Sequence, residues 1–207
     1  MDLDTLSLTP LECERLINSL VVPRPIAWIT TVDGAGIGNL APFSYFNVVS
    51  GGRPPVVMVS FSPKGDKHTL ANLVDTGEFV VNVADESLRA PMVQSSGEFG
   101  PDIDEAEVLE LATESSSVVS PPRLALARAA LECRTAGIYP IDDYTVAFGR
   151  VVHIHVSDGV VRDGRIDPEL LTPVARLGAS LYTTVTHAYR MERPAVTPDK
   201  EEQPSQT

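Results

Sequence analysis

Cysteines, basic residues and long apolar runs are all scarce in this chain of 207 residues. The two cysteines, Cys13 and Cys133, are too few for a disulfide framework and too far apart for a CxxC motif. Proline, glycine or a charged residue interrupts every apolar run before it reaches the length of a membrane span. The acidic N-terminus also lacks the basic region of a secretory signal peptide. We therefore expect a cytoplasmic protein with two reduced thiols.

Positive charge is scarce relative to negative charge. The chain has 16 lysines and arginines against 28 aspartates and glutamates, so its formal net charge is −12. Such an acidic surface repels nucleic acid and anionic membranes, which excludes these as expected partners. The apolar fraction of 43% is that of an ordinary globular protein, and the length suffices for one hydrophobic core, with or without an insertion.

Short β-branched segments dominate the chain and predict a mainly β fold. A capping box at Thr9-Pro10-Leu11-Glu12 begins one helix, which we expect to reach Asn18. Asp66 is the expected N-cap of a second helix at 66–76. Because most connections are tight turns, we predict an antiparallel β-barrel or sandwich with a few peripheral helices. The predicted strands are 26–32, 56–61, 78–83, 127–135 and 145–156, with a returning segment at 39–49. The face of the first helix expected to point inward comprises Leu16, Ile17 and Leu20.

One stretch, residues 90–122, differs in composition from the rest and contains no lysine or arginine. We interpret it as an acidic excursion from a single domain at 1–193, with a short helix at 104–112. The tail at 194–207 has no apolar periodicity and is expected to be disordered. Seven acids lie in the acidic excursion and are expected to form a solvated surface: Glu98, Asp102, Asp104, Glu105, Glu107, Glu110 and Glu114.

The segment SFSPKGDKHTLANL, residues 60–73, places hydroxyl and lysine side chains around a predicted helix start. A helix N-terminus exposes unpaired N–H groups and the positive end of the helix dipole, so these side chains could cradle a phosphate. A capped surface helix with ordinary lysines explains them equally well. The segment is not a P-loop, and the glycines at 34–38 have the spacing GxGxG rather than that of a dinucleotide-binding fingerprint.

Catalytic side chains are not evident in the sequence. There is no Gly-x-Ser-x-Gly elbow and no Ser-His-Asp arrangement. His153 and His155 would share one face of a strand, opposite a buried face with Val152 and Ile154, but a third metal ligand is lacking. We therefore expect no metal site, and an enzyme of this sequence would depend on a bound cofactor.

Several blocks occur in a specific order. They are PRPIAWITTVDGAGIGNLAPFSYFN at 23–47 and PPVVMVSFSPKGDKHTLANLVDTGEFVVNV at 54–83, followed by PPRLALARAALEC, YTVAFGRVVHIHV and VARLGASLYTTV. Over roughly residues 8–190 the sequence resembles the flavin reductase-like, FMN-binding split-barrel family. The resemblance implies an antiparallel Greek-key split β-barrel that forms a homodimer with flavin at the interface.

The resemblance also implies which residues contact the flavin. Polar residues in the two N-terminal strands would hydrogen-bond the isoalloxazine ring and the ribityl chain, which need several donors and acceptors on an apolar wall. Residues at 60–69 would bind the phosphate, and Arg176 matches a family position near the flavin. The first set comprises Thr30, Thr31, Asn39 and Ser44, with the backbone of Leu40 and Ala41. The second set comprises Ser60, Ser62, Lys67, His68 and Thr69.

Two positions depart from the family pattern. His68 stands where the family more often has an acidic residue. Asp143-Tyr144 stands where short flavin reductases that use NADH often have Asp-His. Tyr144 is therefore interpreted either as a ring that stacks on a ligand or as an ordinary strand residue.

Two functions remain open at this point. The first is an FMN-dependent oxidoreductase that passes electrons from NAD(P)H through flavin to an unknown acceptor, with FAD as the alternative flavin. The acceptor would be a small molecule or a partner monooxygenase. The second is an FMN-binding carrier or electron-transfer protein without efficient NAD(P)H turnover, which the missing histidine favours. A barrel without flavin is a third interpretation, against which the blocks at 39–47 and 60–69 argue.

Overall fold

The computed structural model describes residues 1–63, 68–192 and 194. Within these ranges, no helix is long and apolar enough to cross a membrane. Lys67, the expected N-cap Asp66 and the tail from residue 195 onward lie outside the described residues.

The α-helices are α1 (Pro10–Leu20), α2 (His68–Asp75), α3 (Arg89–Gln94), α4 (Glu105–Val108) and α5 (Pro168–Leu171). The strands are β1 (Arg24–Pro25), β2 (Ala27–Val32), β3 (Gly38–Phe43), β4 (Phe46–Ser50), β5 (Val56–Phe61), β6 (Glu78–Asn82), β7 (Thr113–Glu114), β8 (Arg123–Leu124), β9 (Ala129–Ile141), β10 (Tyr144–Val156), β11 (Val161–Arg162), β12 (Arg165–Ile166), β13 (Val174–Arg176) and β14 (Tyr182–Thr184).

Seven strands form one antiparallel sheet in the order β3-β2-β6-β9-β10-β5-β4. The sheet curls into a half-barrel, and β1, β13 and β14 form a smaller three-stranded sheet. The predicted mainly β, antiparallel split-barrel fold with peripheral helices is confirmed. The strand predicted at 56–61 agrees residue for residue with β5.

β2 is buried on both of its faces, because it lies between two hydrophobic clusters. Ala27 and Ile29 belong to the cluster inside the barrel. Trp28 belongs to a second cluster on the opposite face of the strand. An antiparallel strand commonly leaves its outer face to water, so other elements must cover this one. The second cluster also includes Leu40, Leu88, Met92, Ala106 and Leu124.

The acidic excursion provides part of this cover. Its helix α4 packs against β3, and Ala106 of α4 is buried. Gly38 permits the close approach, because a Cβ at this position would lie 2.0 Å from Oδ2 of Asp104. Asp104 in turn caps α4 by accepting the N–H of Ala106 at 2.8 Å. The helix ends at Val108 rather than at residue 112 as predicted, yet the excursion is part of the core.

Two carboxylates on neighbouring strands hold the last part of the acidic excursion. Glu132 of β9 is 1% exposed and accepts the N–H groups of Ser117 and Val118, both at 2.7 Å. Glu78 of β6 accepts the N–H of Ser120 at 2.8 Å, and its other oxygen pairs with a guanidinium at 3.1 Å. Burial alone would raise the pKa of the Glu78 carboxyl, but these hydrogen bonds outweigh burial and lower it.

α1 begins at the predicted residue, but its apolar side chains are less buried than predicted. Thr9 and Glu12 form the expected capping box, and the helix continues to Leu20, two residues beyond the prediction. Leu16 is half-buried, but the expectation that Ile17 and Leu20 point inward is wrong, since they are 51% and 76% exposed. The reason is that α1 lies on the surface, where none of its residues is fully buried.

Two expectations about exposure are also wrong. Glu105, predicted to be a solvated acid, is only 4% exposed because α4 packs against the sheet. Val152 and Ile154, predicted to lie on a buried face opposite His153 and His155, are 37% and 52% exposed. A register shift just before His153 interrupts the regular alternation of faces in β10.

Candidate functional site

A large cleft of about 1320 Å³ opens between the half-barrel and the acidic excursion. Its wall is formed by β3, the corner after β3, the end of β5 and the start of α2, together with parts of α1, β1, β13 and the acidic excursion. The volume exceeds the roughly 300–1,000 Å³ of most small-molecule sites. The cleft therefore has room for a large ligand, or for a ligand and a second molecule beside it.

A buried hydrogen bond joins β3 to α2 at this wall. Asn39 donates from Nδ2 to Oγ1 of Thr69 at 2.8 Å, and both residues are buried. The bond fixes the first turn of the helix against the strand. An amide also carries a carbonyl acceptor, and a hydroxyl also carries a proton to donate, so each residue keeps hydrogen-bonding capacity for a ligand.

Serine hydroxyls line the adjoining wall. Ser44 lies at the corner between β3 and β4, Ser60 lies near the end of β5, and Ser62 follows it; all three are half-buried. The N–H of Ser60 donates to the carbonyl of Tyr45 at 2.8 Å and fixes the corner against β5. His68, the first residue of α2, lies on the same wall. Hydroxyls that can both donate and accept suit a polyol or an oxygen-rich anion.

Two arginines that pair with no carboxylate in the described ranges lie on the same cleft. Arg24 on β1 and Arg176 on β13 lie directly opposite each other on neighbouring strands of the small sheet. Arg24 donates to the carbonyls of Asn18, Val21 and Leu177 at 2.6, 2.9 and 3.0 Å, whereas its buried Nε–H has no partner among the described residues. Burial lowers the pKa of the Arg24 guanidinium, and the neighbouring Arg176 lowers it further. The two guanidinium groups place positive charge on the cleft wall, which favours an anionic ligand.

Tyrosine rings accompany these cations. Tyr45 and Tyr144 both line the cleft and lie nearly parallel, with ring centroids 6.1 Å apart and an interplanar angle of 17°. The guanidinium carbon of Arg24 lies 5.8 Å from the centroid of Tyr45, and that of Arg176 lies 4.5 Å from the centroid of Tyr182. Cation–π contact of this kind holds each guanidinium without neutralising it.

The acidic excursion contributes two acids to the cleft, Glu98 and Glu105, of which Glu105 is buried. Oε2 of Glu105, the first residue of α4, accepts the N–H of Leu40 at 2.7 Å. Burial raises the pKa of the Glu105 carboxyl, and the neighbouring Asp104 adds to this. Backbone N–H groups and His68 act in the opposite direction without cancelling the rise. Glu105 therefore keeps its proton to a higher pH than an ordinary glutamate does.

Eight of the twelve residues predicted to contact the ligand line this cleft. Lys67 lies outside the described residues. Leu40 is buried, and its N–H, predicted to face the ligand, is bonded to Glu105. The eight residues on the wall are Asn39, Ala41, Ser44, Ser60, Ser62, His68, Thr69 and Arg176.

Thr30 and Thr31 form hydrogen bonds inside the protein instead of lining the cleft. The hydroxyl of Thr30 donates to a backbone carbonyl at the end of the acidic excursion and accepts from Asn82 of β6 at 3.2 Å. The hydroxyl of Thr31 accepts from Asn72 of α2 at 3.0 Å. Because β2 is covered on both faces, its polar side chains meet partners from the covering elements. Their polarity is therefore explained without a ligand.

Sequence reasoning missed several cleft residues, among them Glu105 and Arg24. In the sequence Glu105 is indistinguishable from the exposed acids around it, and only the docking of α4 buries it. Arg24 directly precedes a buried strand, and an arginine in that place within an acidic chain is a signal that could have marked it.

Other surface features of the described residues are weaker candidates for a functional site. A depression of about 660 Å³ lies beside the β11–β12 hairpin, but most of its residues are exposed, and Arg162 there is paired with Asp167 at 2.7 Å. Within the part of the chain that the structure describes, no group of three His, Cys, Asp or Glu side chains could hold a metal ion. The large cleft is therefore the candidate site.

The chemistry of the cleft fits a flavin mononucleotide. Such a ligand combines a planar ring with carbonyl and nitrogen acceptors, a polyol chain and a phosphate. The wall offers apolar contacts from Pro42 and Phe43, amide and hydroxyl groups for the acceptors and the polyol, and guanidinium groups for the anion.

Comparisons with known proteins agree with this fit. The family described as "Flavin reductase like domain" matches residues 19–171 of the chain. A protein of Aquifex aeolicus without an assigned function is 40% identical over 172 residues, which are 81% of this chain and 87% of that protein. The structure of nitrilotriacetate monooxygenase component B from Bacillus cereus is 30% identical, with a TM-score of 0.86 over 92% of this chain and 98% of that chain. The structure of 2-nitrobenzoate 2-nitroreductase from Pseudomonas fluorescens is also 30% identical, with a TM-score of 0.86 over 96% and 98% of the two chains.

Proposed function

Because the chain belongs to the flavin reductase like family, we propose that it is an FMN-dependent oxidoreductase that passes electrons from NAD(P)H through flavin to an acceptor. The observation that carries the proposal is the cleft, where eight predicted contact residues converge with guanidinium groups. Bound flavin would supply the hydride and electron-transfer chemistry, for which protein side chains have no equivalent.

The residues of this chain would bind and orient the cofactor. Asn39 would hold its ring and chain from the wall that its hydrogen bond to Thr69 makes rigid. The hydroxyls of Ser60, Ser62 and Thr69, with Lys67 and His68, would bind the phosphate, as the resemblance implies. A preorganised wall of this kind lowers the cost of orienting a ligand for reaction.

The names of two similar proteins support an oxidoreductase. One is component B of a monooxygenase and the other is a nitroreductase. The acceptor proposed for this chain is accordingly a small molecule or a partner monooxygenase. The size of the cleft supports the former, because about 1320 Å³ leaves room beside a bound cofactor.

One observation favours an alternative, an FMN-binding carrier or electron-transfer protein without efficient NAD(P)H turnover. Tyr144 stands on the cleft wall where NADH-using relatives often have a histidine, and it stacks against Tyr45. An aromatic pair can shield a flavin ring, but it supplies no imidazole for nicotinamide.

We also propose that the protein is a cytoplasmic homodimer. The exposed apolar side chains at the end of α1, among them Ile17, Leu20 and Val21, support a subunit contact, because burying them removes apolar surface from water. The two free cysteines support a reducing compartment. Sedimentation of the flavin-loaded protein tests the dimer, and a flavin-loaded monomer would contradict it.

The decisive experiment is the anaerobic visible spectrum of the protein with FMN, before and after addition of NADH or NADPH. We expect a perturbed flavin spectrum that bleaches within the mixing time of the experiment. A perturbed spectrum that stays yellow would favour the carrier. An unperturbed spectrum would refute flavin binding at this cleft.

A matched pair of variants locates the binding site. Thr69→Ala removes a hydroxyl from the cleft wall, whereas Thr113→Ala removes one from the exposed strand β7. We expect weaker FMN binding only for Thr69→Ala, with riboflavin less affected than FMN because it lacks the phosphate. Equal FMN affinity of the two variants would contradict the assignment of this wall.

A further inference from the structure

The carboxyl group of Glu105 has an unusual place in the molecule. It is 4% exposed, yet it lines the large cleft. One of its oxygens, Oε2, is held by the N–H of Leu40. The backbone N–H of Glu105 itself is the second hydrogen-bond donor to this carboxyl among the described residues. The carboxyl is therefore fixed against β3 in a residue that lines the cleft.

The position of this carboxyl relates it to the wall proposed to hold the cofactor. Leu40 lies between Asn39 and Ala41, both of which line the cleft and belong to the proposed flavin contacts. A group bonded to the backbone of Leu40 is thus held beside the same stretch of β3. Sequence resemblance assigns no role to Glu105, because the acidic excursion reads as a solvated surface.

We propose that Glu105 contacts the bound flavin and is protonated in the complex. Its Oε2 holds β3 through the N–H of Leu40, and its Oε1 donates a hydrogen bond to a carbonyl or ring-nitrogen acceptor of the flavin. The inference rests on the proposed function, since it names a contact of that same site. A neutral buried carboxyl is a strong donor, and an ionised one at this place would repel an anionic ligand.

The charged groups around Glu105 are consistent with a neutral carboxyl. Burial raises its pKa, and Asp104 on α4 adds to the rise, whereas His68 on α2 acts against it. β3 contributes only backbone N–H groups, because residues 38–43 include no ionisable side chain. Glu98 lines the same cleft from the acidic excursion.

Proton linkage is the consequence that can be measured. A ligand that accepts a hydrogen bond from the protonated carboxyl favours that form, so binding draws a proton from the solvent onto Glu105. Above the pKa of Glu105 in the free protein, affinity then falls as pH rises, by at most about tenfold per pH unit. A carboxyl that only positions β3 would produce no such proton uptake.

The test is calorimetric titration of the full chain with FMN, across the neutral pH range, in two buffers of different ionisation enthalpy. Wild type is expected to take up as much as about one proton per FMN. Glu105→Gln keeps an acceptor for Leu40 and a permanent donor for the ligand, so its uptake should be lost and its affinity should vary less with pH. Glu107→Gln, on the exposed side of the same helix, should behave as wild type. Titration of FMN itself is common to all three proteins and cancels in the comparison.

Each outcome decides the inference. The same net proton uptake in Glu105→Gln as in wild type would overturn it while leaving flavin binding intact. Absence of FMN binding to wild type would overturn the proposed function and this inference with it. Should Glu105→Gln fold poorly, infrared difference spectroscopy of wild type decides. A protonated carboxyl band that appears on FMN binding supports the proposal, and its absence refutes it.

Discussion

Replacing Glu132 by glutamine should release the end of the acidic excursion from the sheet. The buried carboxylate accepts two N–H groups at 2.7 Å, from Ser117 and Val118. Glutamine keeps one acceptor oxygen, while its NH2 group faces the second N–H and cannot accept from it. Loss of one charge-assisted hydrogen bond costs about 1.5–3 kcal/mol, and relief from burying a charge offsets part of this. We therefore expect the free energy of unfolding to fall by about 2 kcal/mol, which lowers Tm by about 4–8 °C in a chain of this size.

Urea unfolding followed by tryptophan fluorescence measures this effect directly. Trp28 is the sole tryptophan of the chain and is fully buried against the acidic excursion, so its emission reports loss of that packing. Glu107→Gln is the matched control and should stay within about 0.5 kcal/mol of wild type, because Glu107 is exposed. A loss no larger than that of the control would refute the reasoning, since the loop would then be held without the Glu132 carboxylate.

Three further predictions follow from burial, charge and close approach. Burial raises the pKa of the Cys133 thiol to about 12, so a thiol reagent should modify only Cys13 in the native protein and both cysteines in denaturant; rapid native modification of both would contradict this. The pKa of the Glu78 carboxyl, which burial would raise, is lowered by its hydrogen bonds. Its stabilising contribution is therefore present above the ordinary glutamate pKa and lost as pH falls through the lowered one, and Glu78→Gln should flatten the acid limb of a stability–pH curve. Gly38→Ala should displace the carboxylate that caps α4 and lower the unfolding free energy by about 1 kcal/mol, measured against Gly51→Ala, whose added Cβ meets open space.

The fold was largely predictable because the strands carry their own local signals. The run Val56–Phe61 is continuous, apolar and β-branched, and Pro-Pro precedes it, so both its type and its bounds are fixed locally. The capping box at Thr9 is equally local. Exposure of α1 was not predictable, because an amphipathic pattern does not say whether another element of the same chain covers the apolar face.

The cleft residues were predictable where they belong to sequence blocks that occur in a specific order. They were not predictable where tertiary packing determines whether a side chain reaches the cleft. Asn39 and Thr69 are 30 positions apart, but they lie in two blocks whose order indicates their proximity. Thr30 and Asn82 lie in the same two blocks, yet their hydrogen bond depends on the pairing of β2 with β6, which the order of the blocks does not specify. Glu105 is the converse case: its sequence context predicts an exposed acid, but the packing of α4 against the sheet places it on the cleft.

The double burial of β2 limits how the protein can be shortened. A variant that joined β6 directly to β8 would lose α3 and α4, and with them the cover over Trp28 and Leu40. The half-barrel would keep its hydrogen bonds, but it would present a contiguous apolar patch to water, and such patches drive self-association. The acidic excursion therefore serves solubility twice: it hides an apolar face on its inner side and carries negative charge on its outer side. Insertions are best placed instead at the exposed β11–β12 turn, where no buried surface depends on the chain.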